Sequence, residues 1–176
     1  MKHEETDDHR DIDKLCWNFG SEAMHDLKLR KAMPEDSEFA YHVKKLAFKA
    51  YVEQVWGWND HEQRQLHERR FASQDFQVIQ VSGHDIGIMA CVQQPDHVKI
   101  NQIFLLPAYQ NRGIGTACMQ GILERALASG RAVQLQVLKV NGRAVAFYRR
   151  LRFACVSESD THLVFEYRIR DARLSE

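Results

Sequence analysis

The stretch Leu105–Thr116, which reads LLPAYQNRGIGT, determines the predicted fold because a strand, a tight loop and a helix start follow one another within it. Gly113 and Gly115 let the backbone turn without a Cβ and let a ligand approach closely. The free N–H groups of the first helical turn lie at the positive end of the helix dipole, which suits a phosphate or pyrophosphate. Thr116 adds a hydroxyl donor and Arg112 a positive charge. The stretch therefore predicts an anion-binding loop.

Gly113 and Gly115 alone do not identify what this loop binds. Two glycines at a helix start are also compatible with tight packing and no ligand, and that alternative stays open at this point. A dinucleotide loop needs G-x-G-x-x-G inside a β-α-β unit, whereas here the leading glycine is missing and the preceding strands form a meander. A P-loop is excluded because no Gly-Lys-Ser/Thr follows.

The hydrophobic periodicity on both sides of the loop predicts a mixed α/β (α+β) fold with the order β-α-α-β-β-β-α-β-α-β-β. Its central sheet is mostly antiparallel and is flanked by helices. The predicted strands are 26–33, 76–81, 86–93, 97–106, 132–140, 153–158 and 163–169. The predicted helices begin at Pro34, Asn59, the glycine loop and Asn141.

Length and charge predict a single domain over residues 26–172 that follows a different N-terminal segment. The chain has 176 residues, within the usual range for one domain. Residues 1–25 hold seven acids and three bases, which makes them an acidic arm. Two alternatives stay open for this arm: a short helix around Asp11–Phe19, or a loosely attached segment. The formal net charge of the whole chain is zero, which argues against a general electrostatic grip on nucleic acid or on an anionic membrane.

The cysteines and histidines predict neither a disulfide framework nor a metal site. The four cysteines are far apart with no C-x-x-C pair, and the nine histidines are scattered. The charged N-terminus lacks the apolar core of a signal peptide, and no apolar run approaches 18 residues. We therefore expect reduced thiols, no bound metal, no membrane segment and a cytoplasmic location.

A second stretch, Asn141–Phe153 or NGRAVAFYRRLRF, gives the loop its context. Together the two stretches resemble the GNAT superfamily of N-acetyltransferases. Gln110, Gly113 and Gly115 match its loop signature Q/R-x-x-G-x-G/A. The second stretch matches the typical Asn-x-x-Ala-x-x-Phe-Tyr-x-x-x-Gly-Phe segment at all its positions except the glycine, where Arg152 stands. The resemblance covers roughly residues 27–169 and implies the GNAT fold.

The resemblance implies acetyl-CoA, that is, coenzyme A carrying an acetyl group, as the cofactor. In the family the loop amides hold the pyrophosphate, and the strand end before the loop pairs with the pantetheine arm. The implied cofactor-binding residues are Ile103, Phe104, Leu105, Gln110, Asn111, Arg112, Gly113, Ile114, Gly115, Thr116, Asn141, Phe147 and Tyr148.

The resemblance also implies two catalytic groups. The backbone N–H of Ile103 would polarise the thioester carbonyl, because a donor aimed at a developing oxyanion stabilises it. Tyr148 would act as the general acid that protonates the departing CoA thiolate. The alternative for Tyr148 is a buried aromatic residue whose hydroxyl is satisfied within the protein.

The base is not evident, because the strand 97–106 holds no carboxylate. Our candidate is Glu53, which follows the predicted buried stripe Phe39, Val43, Leu46, Ala47 and Ala50 at helical spacing. Burial and the nearby helix C-terminus make a carboxylate a stronger base. With Tyr51, Trp56 and Trp58 it forms the predicted acceptor pocket, in which an aromatic ring can stack on a cationic amine. Ordinary helix packing and a solvated Glu53 are the alternative.

The expected function is transfer of an acetyl group from acetyl-CoA to a primary amine by direct attack in a ternary complex. The alternative is a non-catalytic acyl-CoA-binding or regulatory module with the same fold. The expected acceptor is a small-molecule amine, with a protein amine as the other class, and the expected assembly is a monomer or a homodimer.

Overall fold

The computed structural model describes residues 26–168. The predictions for the acidic arm 1–25, including its helix, and for residues 169–172 fall outside these residues. The domain boundaries therefore stay predictions.

Seven strands and four helices make up the described part of the chain, in the predicted order. They are β1 (Leu27–Lys31), α1 (Ser37–Trp56), α2 (Asp60–Ser73), β2 (Phe76–Val81), β3 (His84–Gln93), β4 (His97–Leu105), α3 (Ile114–Ala128), β5 (Ala132–Leu138), α4 (Gly142–Arg150), β6 (Ala154–Glu158) and β7 (His162–Tyr167). Short 3₁₀ turns at Pro34–Asp36 and Pro107–Tyr109 lead into α1 and towards α3. The mixed α/β fold and its mostly antiparallel sheet are confirmed.

All seven strands form one sheet in the order β1-β2-β3-β4-β5-β7-β6. Every neighbouring pair is antiparallel except β4 and β5, which are parallel. That pairing joins His97–Ile100 to Ala132–Leu135 and then stops. β4 nevertheless stays paired with β3 as far as Leu105. The two strands therefore separate halfway along, and a gap opens in the middle of the sheet.

The helices cover both faces of the sheet. On one face, Ala40 and Val43 of α1 pack with Phe76, Ile88 and Ala90. On the other, α3 and α4 pack over the larger core, which includes Met119, Ile122, Tyr148 and Phe165. The gap between β4 and β5 therefore opens between the two helical layers.

Gly87 lets β3 and β4 approach closely beside the gap. A Cβ at this position would lie 2.5 Å from the carbonyl oxygen of Phe104 and 2.7 Å from the Leu105 side chain. Any larger residue would push the end of β4 away. This glycine fixes the half of β4 that faces the gap.

The buried side of α1 differs from the predicted one. Leu46 is 51% exposed and Ala50 is exposed, whereas Lys44 is 4% exposed. The buried residues of this helix are Ala40, Tyr41, Val43, Lys44 and Val52. The predicted stripe is correct at Val43, which is buried, and wrong at Leu46 and Ala50, because the helix turns Lys44 inward instead. The aliphatic stem of a lysine can pack in a core as an apolar chain does. Residues 26–168 contain no helix that is both long and apolar enough to cross a membrane.

Candidate active site

The gap between β4 and β5 is the floor of a cleft of about 870 Å³. Its α3–α4 side is lined by Gly113, Gly115, Thr116, Asn141, Ala144, Phe147 and Tyr148. Its α1–α2 side is lined by Lys44, Ala47, Phe48, Tyr51, Arg70 and Gln74. β4 runs between the two sides. A ligand on either side can therefore reach the same stretch of β4.

Backbone alternation turns the polar groups of Ile103 and Leu105 towards the gap. The N–H of Leu106 donates to the carbonyl oxygen of Ile86 on β3, at 2.9 Å. Successive residues of a strand direct their backbone groups to opposite sides, so Leu105 and Ile103 face away from β3. The side-chain amide of Gln110 donates to the outward carbonyl of Leu105, at 3.0 Å. The N–H of Ile103 thus has the orientation that its predicted role requires.

The N-terminus of α3 meets the requirements of an anion site. Gly113 has φ 82°, a left-handed conformation that favours glycine, and no side chain caps the helix. A Cβ on Gly115 would touch only the Phe147 and Leu105 side chains at 3.6 Å or more, so the protein itself does not require a glycine there. Arg143 donates to the Asn111 side-chain oxygen at 3.2 Å, which places a guanidinium beside the loop. The uncapped amides and the open approach suit a pyrophosphate.

Two predicted cofactor residues direct their side chains elsewhere. The guanidinium of Arg112 lies 5.5 Å from the centre of the Tyr109 ring. Ile114 is 6% exposed and belongs to the core. Neither residue lines the cleft, whereas all the other predicted cofactor residues do.

Tyr148 lies in the cleft wall with its ring buried. Asn141 caps the N-terminus of α4: its side-chain oxygen accepts from the N–H of Ala144 at 3.1 Å. Tyr148 packs against Phe147, Phe153 and Phe165. Burial raises the pKa of the Tyr148 hydroxyl well above its usual value, so the group keeps its proton at neutral pH. A protonated phenol facing a cleft can act as a general acid.

The end of α4 holds Tyr148 in place. The N–H of Phe153 donates to the Tyr148 carbonyl at 3.0 Å, and that of Arg152 to the Arg149 carbonyl at 2.9 Å. These two bonds form a Schellman motif, in which the residue at the Arg152 position is left-handed. Arg152 has φ 66°, so it takes the conformation of the glycine that it replaces.

The predicted acceptor pocket is mostly not assembled. Tyr51 lines the cleft, but Glu53, Trp56 and Trp58 do not. Glu53 is exposed, so the burial predicted for it was wrong. The indole of Trp58 donates to Asp60 at 3.2 Å. Trp56 is 58% exposed, and its ring lies 5.8 Å from that of His162, which does line the cleft.

The sequence did not predict the charged residues on the α1–α2 side of the cleft. Lys44, Arg70 and Lys99 line the cleft, and no Asp or Glu does so among residues 26–168. Burial, together with the charge of Arg70, lowers the pKa of Lys44 to about 8. The available signal was a lysine spaced four residues from Ala40 and three from Ala47, within the apolar pattern of α1.

The described cysteines do not supply a nucleophile to the cleft. Desolvation raises the pKa of Cys91 and of Cys118 to about 12, so both stay protonated at neutral pH. Cys155 is exposed on β6, outside the cleft. The described residues also contain no group of three or more His, Cys, Asp or Glu side chains that could hold a metal ion.

Comparison with known proteins matches this architecture. The model of the Acetyltransferase (GNAT) family matches residues 39–153. An uncharacterized N-acetyltransferase of Methanocaldococcus jannaschii is 36% identical over 86 residues, which are 44% of this chain and 38% of that protein. One from Archaeoglobus fulgidus is 33% identical over 79 residues, 40% of this chain and 54% of that protein. The matches thus span about half or less of these relatives.

A solved structure shares the fold at low sequence identity. PaiA N-acetyltransferase from Thermoplasma acidophilum, in complex with coenzyme A, superposes with a TM-score of 0.67 and 15% identity, over 81% of this chain and 99% of that one. The predicted family resemblance, the fold and the cofactor acetyl-CoA are confirmed.

Proposed function

Because this chain belongs to the GNAT family of acetyltransferases, we propose that it moves an acetyl group from acetyl-CoA to a primary amine by direct attack in a ternary complex. One observation carries the proposal: an uncapped helix N-terminus, an outward N–H on a separated strand and a protonated tyrosine line the same cleft. A small-molecule acceptor and a cytoplasmic location are part of the proposal, and a protein amine is the alternative acceptor class.

The cofactor residues are assigned by their positions in the cleft. The amides of the first turn of α3 bind the pyrophosphate, and Gly113 and Gly115 keep the approach open. The outward groups of Ile103 and Leu105 pair with the pantetheine arm, and Asn141 binds the same arm from α4. Acetyl-CoA supplies the acetyl group in activated form, as a thioester.

Two groups of this chain act on the reacting atoms. The N–H of Ile103 donates to the thioester carbonyl oxygen and stabilises the negative charge that develops there. The hydroxyl of Tyr148 donates its proton to the departing sulfur. No thiol is needed, which agrees with the protonated state of Cys91 and Cys118. No side chain is assigned as the base, because Glu53 lies outside the cleft; the amine loses its proton to solvent.

Replacement of Tyr148 by phenylalanine tests the general acid. We expect Tyr148→Phe to lower kcat roughly 10²- to 10⁴-fold, the usual contribution of general acid catalysis. The affinity for CoA, measured by calorimetry, should change less than about threefold, because the ring stays packed. Tyr167→Phe is the matched control, since this tyrosine lies outside the cleft. Unchanged thiol release by Tyr148→Phe would remove the tyrosine from the mechanism.

The non-catalytic alternative predicts a different result in the same assays. An acyl-CoA-binding or regulatory module would bind acetyl-CoA in the calorimeter and release no thiol with any amine. A panel of small amines and peptide N-termini separates these outcomes and also tells a small acceptor from a protein one.

A further inference from the structure

We propose that the acceptor amine carries an anionic group, a carboxylate or a phosphate, which Lys44, Arg70 and Lys99 bind while the side-chain oxygen of Gln102 accepts a hydrogen bond from the reacting amine. This inference rests on the proposed acetyl transfer and names the chemical class of its acceptor.

Three cations from three different elements line the cleft. Lys44 belongs to α1, Arg70 to α2 and Lys99 to β4, and all three line the cleft. The ammonium of Lys44 donates to the Gln63 side-chain oxygen at 3.1 Å, a neutral partner. Within residues 26–168, none of the three makes an ion pair. Like charges gathered without a counter-ion repel one another, so an anionic ligand would be bound favourably.

Several neighbouring cations outside the cleft have partners. Lys45, next to Lys44 in the sequence, pairs with Asp60, and Arg64 on α2 pairs with Glu38. Arg30 pairs with both Asp36 and Asp85. Within residues 26–168, Lys49 and Arg69 on the same helices also make no ion pair, but both lie outside the cleft. What distinguishes Lys44, Arg70 and Lys99 is that they line one cleft to which no Asp or Glu of the described residues contributes.

Gln102 gives an independent indication of a ligand at the same place. It is 6% exposed, it lines the cleft, and its side-chain oxygen has no hydrogen-bond partner. Buried acceptors without a partner are rare in folded proteins because they have lost water and gained nothing in return. Gln102 precedes Ile103, whose N–H faces the gap. An amine that donates to the Gln102 oxygen would therefore lie beside the reacting carbonyl.

Lys99 is too far from the α3 loop to be a second part of the cofactor phosphate site. Lys99 precedes Leu105 by six strand residues, which corresponds to about 20 Å. Lys99 precedes Gln102 by only three, about 10 Å. The acceptor is therefore short, with its anion within about 10 Å of its amine, as in an amino acid or a phosphorylated amino alcohol. Polycationic amines are disfavoured by the same charges.

Matched pairs of amines test the inference on the full chain. O-phosphoethanolamine is compared with ethanolamine, and β-alanine with its amide, by thiol release and by calorimetry in the presence of CoA. We expect at least tenfold higher kcat/KM for the anionic member of one or both pairs. Which pair shows the difference tells a phosphate from a carboxylate.

Variants of α2 locate the effect. Arg70→Leu should raise KM for the preferred anionic amine at least tenfold and leave its neutral partner unchanged. Arg69→Leu is the matched control, because Arg69 is exposed on the same helix and does not line the cleft. Gln102→Leu should reduce kcat/KM for both members of a pair, with circular dichroism and thermal unfolding to show that the fold persists.

Each result distinguishes this inference from the proposed function. Equal turnover of neutral and anionic amines, or an equal effect of Arg70→Leu on both, would overturn the anionic acceptor and leave acetyl transfer standing. Preferred binding of the anionic amine in the calorimeter with no thiol release would support the anion site and overturn acetyl transfer. No preference in turnover or in binding would overturn the anion site.

Discussion

At the scale of single residues, Lys44 places a charge where the fold gains little from it. The ordinary lysine pKa is 10.5, and in the folded protein it falls to about 8 because the ammonium is buried near Arg70. The folded state thus binds this proton less tightly than the unfolded state. The free energy of unfolding is therefore highest above pH 10.5, where Lys44 is neutral in both states. It decreases as the pH falls towards 8.

We therefore expect Lys44→Met to raise the free energy of unfolding at pH 7 by on the order of 1–3 kcal/mol. The gain should shrink as the pH rises from 8 to 10. Urea unfolding at pH 7 and at pH 10 measures this gain in the free energy of unfolding. Lys49→Met is the control, because Lys49 lies on the same helix but outside the cleft. A gain of equal size at both pH values would contradict the burial of a charge. A stabilising change that weakens acceptor binding would mark Lys44 as functional.

His67 introduces a second dependence on pH. It is 2% exposed, its Nε2 donates to the Ser37 carbonyl at 2.9 Å, and its Nδ1 has no partner. Burial lowers its pKa below the ordinary 6.5. Since the unfolded state takes up the proton more readily, stability should fall as the pH drops below about 6.5.

Thermal unfolding between pH 5 and 7 measures this effect. His67→Phe removes the titrating group and keeps an aromatic ring beside Tyr41 and Phe71, so its Tm should depend less on pH than that of the unmodified chain. His61→Phe, at an exposed position of α2, should keep the original slope. If Tm changed with pH in the same way in the unmodified chain, His67→Phe and His61→Phe, His67 would be excluded as the cause of the pH dependence.

Sequence alone predicted residues of the cleft where a motif fixes their spacing. Gly113 and the segment around Tyr148 follow from motif spacing, and the structure brings both to the cleft. Lys44 and Gln102 could not be identified in this way, because their burial depends on the packing of α1 and α2 over β4. The prediction for Glu53 failed for the same reason, because its burial depended on how α1 is rotated about its axis.

At the scale of elements, the end of α4 carries strain at a defined position. Arg152 holds φ 66° in a motif that favours glycine, and that motif fixes Tyr148 against Phe153. Arg152→Gly should stabilise the protein by about 0.5–1 kcal/mol, the relief of the left-handed conformation less the added freedom of the unfolded chain. That corresponds to a rise in Tm of about 1–4 °C for a chain of this length.

Differential scanning calorimetry measures this shift. Arg152→Ala is the matched control, because it removes the guanidinium but keeps the Cβ that makes the conformation unfavourable. An equal rise in Tm for Arg152→Gly and Arg152→Ala would show that removal of the charge, and not relief of the backbone conformation, stabilises the protein.

The bounds of most elements were predicted to within two residues, because turns and glycines separate them along the chain. The rotation of α1 about its own axis was not predicted, because the pattern of its polar and apolar residues allows more than one side to be buried.

At the scale of the whole molecule, the sheet consists of two parts that meet along four residue pairs of β4 and β5. No local sequence pattern predicts where that pairing ends, because it joins strands more than 30 residues apart. CoA bound in the gap would contact both parts. At a concentration of 100 times its Kd, it should stabilise the folded state by about 2.7 kcal/mol and raise Tm by roughly 5–10 °C.

Two glycine variants test whether the bound molecule occupies the α3 loop. Gly113→Ala and Gly130→Ala replace left-handed glycines with no atoms near the new Cβ, so both should lower the Tm of the free protein similarly. Only Gly113→Ala should reduce the shift that CoA produces. A shift of the same size in both variants would place CoA elsewhere.

The gap between β4 and β5 also bears on how the protein behaves at high concentration. In the free form, the apolar segment Ile103–Leu105 lies beyond the last residue pair of β4 with β5. Its Leu105 carbonyl accepts from Gln110, and its other outward groups can recruit an extended segment of another chain. Such an edge promotes aggregation, although here it is recessed within a sheet and admits only one extended chain. Light scattering during concentration should therefore rise earlier without CoA than with it. Bound CoA would then also act as a partner that keeps the protein in solution.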